Sequence, residues 1–277
     1  MTAKPKAAPS PPLTELGRIP GAEPSAKLDA WWWLLVGVIA LVVLLAVARP
    51  DPFTRIIVFV SDGIAVTILT TISSFVLILV LGMIGGLGRL SKNPFIFGLS
   101  SLYVELIRGI PLMVQLIWWY FAFPSVLQQV GIAFDLPFLM QYRANPIAMA
   151  ILGLTICYGA YMSEIYRAGI QSIPRGQMEA ARSLGMTYTQ AMRYVVLPQA
   201  VRVILPPVGN EFIALLKDSS LVSVVAVADL TRRGREFMST TFIPIETWSM
   251  VALLYLILTL FSARMVAWIE RRTKFER

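Results

Sequence analysis

The sequence predicts an all-α, polytopic membrane protein with six transmembrane helices, and three observations carry that prediction. Of the 277 residues, 57% are hydrophobic and only 14% are charged, against about a quarter charged in soluble domains. The mean hydropathy is +0.70. The apolar residues are also gathered into runs of the length a helix needs to cross a bilayer, about 20 residues.

Along the chain the expected elements follow in order. Residues 1–30 are rich in Pro and Ala and hold too few large apolar side chains to pack a core, so they read as a disordered tail. The run 31–47 is apolar throughout. It lies behind a polar tail and exceeds a typical h-region, so it reads as a retained helix and not as a cleaved signal. Residues 64–84 are 21 uncharged residues, about 31 Å of helix and enough for one crossing. The run 95–123 is longer but contains Glu105, Arg108 and Pro111, and 146–163 is followed at once by Glu164 and Arg167. Residues 199–216 are the weakest span, with Arg202, Asn210 and Glu211 inside and Pro206-Pro207 expected to break the helix. Residues 247–263 form the last span. Between them, 219–230 is apolar but too short to cross, and is expected as a partly buried re-entrant element on the outer side.

The Lys and Arg residues orient the spans. With a cytoplasmic N-terminus, the inner segments carry 15 of the 24 basic residues and the outer segments 7, the other two lying in spans. The positive-inside rule therefore places both termini and the segment 172–198 in the cytoplasm. The same distribution accounts for the net charge of +8 without a nucleic-acid partner.

Residue types exclude several chemistries. One cysteine, Cys157, and no histidine leave neither an internal disulfide nor the usual ligands of zinc or copper. Without histidine there is no Ser-His-Asp or Cys-His nucleophile. None of the six lysines follows a glycine, as a P-loop requires, so this chain cannot itself cradle ATP.

An unpaired charge at the bilayer centre costs about 2.5 kcal/mol or more on insertion scales. Glu105, Arg108, Glu164, Arg167, Glu211 and Lys217 are therefore expected to face protein or water. Glu105 with Arg108, and Glu164 with Arg167, are three residues apart and share a helix face, so structural pairing competes with a pathway role for these four. Asn210 and Glu211 follow the Pro-Pro-Val-Gly sequence, where freed backbone groups would line a cavity, and are the stronger pathway residues. Trp31, Trp32 and Trp33, with Trp118, Trp119 and Tyr120, read as interfacial belts. Gly82, Gly85, Gly86 and Gly88 fit either close helix approach or a loose cytoplasmic turn.

Residues 179–198 read EAARSLGMTYTQAMRYVVLP. Pro174 suits a first helical turn and Gly185 a left-handed stop, which predicts a short helix over 175–184. Thr187 and Gln190 form a capping box for a second helix running up to Pro198. Ala180 and Ala181 add no bulk, while Glu179 and Arg182 add charge, a composition suited to docking into a groove on a partner.

Glu179-Ala180-Ala181, then Gly185, then Leu197-Pro198 resembles the loop by which permease subunits of bacterial ATP-binding-cassette (ABC) importers grip their ATPase. Val195 stands where isoleucine is usual. YVELIRGIPLMVQL (103–116), YMSEIYRAGIQSIPRGQMEAARSLGM (161–186) and LPQAVRVILPPVGNEFIALLKDSSLVSV (197–224) extend the resemblance to polar amino acid permeases of the histidine/glutamine/arginine type. It covers about 61–270. It implies a five-helix type I ABC importer permease domain at 61–270 with a coupling loop at 172–198, preceded by an additional helix at 31–48 and followed by a basic cytoplasmic tail at 271–277. It further implies a bacterial inner membrane location, two ATP-binding-cassette subunits that hold the ATP and Mg, and a second permease subunit as homodimer or close heterodimer. An extracytoplasmic amino-acid-binding protein completes the set, and this chain binds no cofactor. The alternative is an ion-coupled secondary amino acid transporter, which would need no such loop and usually shows an internal repeat.

Overall fold

Twelve α-helices, two π-helical turns and one 3₁₀ segment make up the regular structure of the described residues. The structure is a computed structural model that describes residues 30–273; the remainder of both expected tails, 1–29 and 274–277, lies outside the described residues.

The additional helix is present as α1 (Ala30–Ala48). Its Leu35 and Val38 are buried against Leu260 of α12 (Pro244–Thr273), and Arg264 lies 5.7 Å over the Trp31 ring. The start of α1 and the C-terminal part of α12 thus share one end of the molecule. The outer faces of Trp31 and Trp33 remain 52% and 65% exposed.

The second span is much longer than 64–84. Helix α2 (Pro50–Gly88) has 39 residues with non-helical backbone at Asp51, and its regular part, 52–88, is about 55 Å long against a hydrocarbon thickness of about 30 Å. Arg55, expected in a connecting segment, is a helical residue paired with Asp51 at 3.1 Å. Of the two readings for the glycines, close approach is the one observed. A Cβ on Gly82 would sit 2.5 Å from Met162, and one on Gly85 2.2 Å from the Ser163 hydroxyl. Both contacts lie on α7 (Pro146–Gln171), which Asn145 caps by accepting from the Ala148 amide at 3.0 Å.

The run 95–123 is not one straight span. Helix α3 (Pro94–Arg108) meets the run 112–133 at a bend of 103°; that run comprises α4 (Leu112–Ile117), a π-helical turn, Trp118–Ala122, and α5 (Phe123–Ala133), and the short α6 (Pro137–Met140) follows. Pro111 causes the bend, since it lacks an N–H and disfavours helical geometry in Ile110 before it.

At α10 (Leu197–Asp218) the opposite correction applies. The expected break at Pro206-Pro207 is absent, and the helix is continuous through both. The prolines withdraw donors from two carbonyls only, those of Arg202 and Val203. Tight packing on either side of them holds the rest, because Gly169 of α7 meets Ile204 and Gly209 meets Val266 of α12. The 3₁₀ segment Ser219–Val225 follows, with Val222 and Val225 fully buried. Next comes a helix that the sequence did not suggest, α11 (Leu230–Thr241), capped by Asp229 and tied to α2 by the ion pair of Arg233 with Asp62.

Length and composition mark α1, α2, α7 and α12 as spans, or five spans if the bent pair counts as one. Helix α10 falls outside that count because Arg202, Asn210, Glu211 and Lys217 lower its hydropathy. The central core surrounds α7 and includes Ile78, Leu116, Leu154, Met162, Leu215 and Val222. A second cluster joins α1, α2, α11 and α12 through Val42, Ile56, Val60, Leu230, Phe237 and Met250.

Candidate functional site

The segment 172–198 folds as its sequence indicates over most of its length. Pro174 opens α8 (Arg175–Ser183), and Leu184 closes it. The Gly185 amide bonds to the Arg182 carbonyl at 3.0 Å and the Met186 amide to the Ala181 carbonyl at 3.3 Å. With φ at +86° on Gly185, this is a Schellman closure, a geometry that a residue bearing a Cβ resists. The capping box then starts α9 (Tyr188–Ala191): the Gln190 amide donates to Thr187 Oγ1 at 3.3 Å, and the Thr187 amide to Gln190 Oε1 at 2.8 Å.

The second helix does not stop at Pro198. A π-helical turn, Met192–Val196, carries it into α10, and the Leu197 amide bonds five residues back to Met192. The ladder has therefore already slipped by one residue where Pro198 offers no donor. Residues 188–218 form one helical stack of about 46 Å. Gln199 fastens α8 to its base, donating to Gln177 at 3.3 Å.

What this loop presents outward is partly what the sequence indicated. Glu179, Ala180, Gly185, Leu197 and Pro198 are exposed, whereas Ala181 is 4% exposed and packs inward. The small-residue argument for an open backbone thus holds at Ala180 alone. Large apolar side chains that motif reading passed over stand beside them: Leu184 is 82% exposed, and Tyr188 and Tyr194 are also exposed.

The intramembrane charges divide into two groups. In the first, Glu164 accepts from both Arg167 and Arg89, the latter at 2.6 Å. The expected Glu164–Arg167 pair is therefore present, joined by Arg89, the C-cap residue of α2, which sequence spacing could not connect to it. The expected Glu105–Arg108 pair is not formed. Glu105 instead faces Arg89 at 3.9 Å, and the Arg108 guanidinium lies 5.1 Å over the Tyr161 ring.

The second group gathers around α10. Glu211 is half-buried and, among the described residues, has no hydrogen bond or ion pair; Asp218 and Arg108 are the charges that act on it. Asp218 accepts a hydrogen bond from Tyr158 at 2.6 Å. Glu211 and Asp218 are seven residues apart, two turns along one helix face. Arg108, Tyr158, Tyr161, Glu211 and Asp218 thus bring carboxylates and a guanidinium into one region, a set able to meet groups of either sign. Asn210 and Lys217 are exposed on the same helix. Sequence reasoning missed Tyr158 and Asp218. The signal for Asp218 was its spacing from Glu211.

Residues 78–275 match the family described as binding-protein-dependent transport system inner membrane component. The chain is 37% identical to the glutamine transport system permease protein GlnP of Escherichia coli strain K12, over 71% of this chain and 84% of that one. It is 39% identical to the arginine transport system permease protein ArgU of Corynebacterium glutamicum over 70% of its own length, and spans 61% of that relative. Among solved structures, an amino acid ABC transporter crystallised with histidines superposes with a TM-score of 0.69 at 35% identity, covering 83% of this chain and 98% of that one.

Proposed function

The chain belongs to the family of inner membrane components of binding-protein-dependent transport systems, and on that footing we propose that it is the permease subunit of an ABC importer for polar L-amino acids. Its relatives carry names of glutamine, arginine and glutamate/aspartate permeases, which supports that substrate class and speaks against an ion-coupled secondary transporter. ATP and Mg are held and ATP is hydrolysed by two separate ATP-binding-cassette subunits. An extracytoplasmic binding protein delivers the amino acid, and a second permease subunit, identical or closely similar, completes the passage. The membrane is the bacterial inner membrane, crossed six times with α10 as the sixth span and both termini cytoplasmic.

One observation carries the mechanism: the end of the exposed loop 172–198 and the polar site at Glu211 lie on one continuous helical stack, 188–218, to which Gln199 ties α8. Force applied to Glu179, Ala180 and Leu184 by a closing ATPase pair is transmitted along that stack to Glu211. The paired bundles then rock from inward- to outward-open, the rigid-body use of contacts that differ between two states.

Reconstitution tests the reading. Proteoliposomes holding the permease, its ATPase and enclosed ATP are expected to take up amino acid only with the binding protein present, whereas uptake by this chain alone under a proton gradient would overturn the proposal. A cysteine placed at Ser10 is expected to label only from the cytoplasmic side, and labelling from outside intact cells would refute the orientation.

A further inference from the structure

We infer that Gln115 is a positioning residue for the intramembrane site: it holds the elbow between α3 and α4, and through the elbow the guanidinium of Arg108. The inference rests on the reading of Arg108 as part of the substrate pathway. A bend of 103° in a membrane helix leaves backbone groups that water cannot serve. Pro111 has no N–H to give to the carbonyl of Ile107, four residues before it. The Gln115 side-chain amide supplies what is missing, donating to the Ile107 carbonyl at 2.9 Å and to the Ile110 carbonyl at 2.8 Å. One acceptor lies at the end of α3 and the other in the corner, so a single side chain spans the bend from the α4 side.

Among the described residues no other side chain donates to either carbonyl. Gln115 is 5% exposed and sits in the wall of an apolar cavity of about 320 Å³ lined by Leu106, Ile107, Ile110, Val114, Trp118 and Trp119. Its amide nitrogen is also 3.5 Å from Cys157 Sγ on α7. The next residue, Tyr158, holds Asp218. Only the donor end of the amide is used, since Oε1 has no partner among the described residues. Arg108 is the last residue of α3, three positions before the proline, and its place over Tyr161 is set by the angle of the elbow. Losing the two bonds leaves the Ile110 carbonyl without a donor among the described residues and the Ile107 carbonyl with only the long bond from the Ile110 amide at 3.3 Å, and releases that angle.

The test uses the permease–ATPase complex in proteoliposomes with its binding protein, and radiolabelled arginine, glutamine and glutamate offered in turn as probes. Gln115→Met is expected to raise the concentration for half-maximal uptake about tenfold while the yield of assembled complex stays at the parental level. Arg108→Gln is expected to raise it as well, and the double variant to raise it no further, because both act through one group. Additive effects, or an unchanged half-saturating concentration in Gln115→Met, overturn the inference. If Arg108→Gln is silent, the pathway reading of Arg108 fails and the inference with it; if only Gln115→Met is silent, the positioning role alone fails. Gln115→Asn, which keeps the amide one methylene short, gives the same readings should Gln115→Met not assemble. Failure of both variants to assemble overturns positioning in favour of a purely structural role.

Discussion

Glu164 and Glu211 stand on neighbouring helices, α7 and α10, and differ in what meets their carboxylates. Glu164 is held by two guanidiniums from two helices. Glu211 has none in contact and shares its surroundings with a second carboxylate, Asp218. The first arrangement is complete within the chain and leaves little for a ligand to gain. The second keeps hydrogen-bonding capacity in a half-buried place, where an unmatched charge is costly and a cationic group entering the site relieves that cost. The difference teaches that an intramembrane charge is informative only once its partners are known. The sequence already set Glu164 beside Arg167 and Glu211 after the Pro-Pro-Val-Gly sequence, but not Arg89 beside the first or Asp218 beside the second.

Four experiments break or sharpen that contrast. The largest effect is expected upstream of both residues, in the loop that moves their helices. Gly185→Val forces a β-branched side chain into a left-handed backbone position at φ +86°, and Glu179→Lys reverses the charge on the exposed face of α8. Both variants should reach the membrane yet lose the stimulation of ATP hydrolysis by loaded binding protein; normal stimulation would remove the loop from the coupling route.

Next in size is Glu164→Gln, which leaves Arg89 and Arg167 facing one another across a weaker acceptor. A loss of about 2 kcal/mol of stability is expected, read as a lowered midpoint in thermal unfolding of the detergent-solubilised protein. No loss would mean that the pair is ornamental. Glu211→Gln should do the reverse, sparing stability while changing the relative uptake of acidic, neutral and basic amino acids. Parental uptake of every amino acid would erase the distinction between the two carboxylates. The smallest effect is expected from Leu77→Ile, a substitution at a 48% exposed position of α2. It should stay within about 0.5 kcal/mol of the parent and transport normally.

The local parts of the loop were legible because their causes are local. Gly185, Thr187 and Gln190 each act within a few residues, and the Schellman closure and capping box appear where their chemistry put them. The prolines were harder to read because a proline removes one donor whatever its surroundings, and the surroundings decide the outcome. At Pro111 the preceding Gly109-Ile110 yields and the helix turns through a wide angle. At Pro206-Pro207 the seams around Gly169 and Gly209 keep α10 straight enough to continue. Arg89 escaped notice because it lies 75 residues from Glu164. Helix α11 was hidden in a run read only for its charge, although Asp229 ahead of Leu230 carried the signature of a cap.

The glycine seam between α2 and α7 has a mechanical corollary. Where Gly82 and Gly85 admit Met162 and Ser163, two helix backbones run close enough that an axial slip of one residue, about 1.5 Å, would drive side-chain atoms into main chain. Such a pair behaves as a single beam, stiff against shear. Compliance then has to come from parts of the molecule without a seam of this kind. In a permease that opens alternately to two sides, the beam serves as the frame.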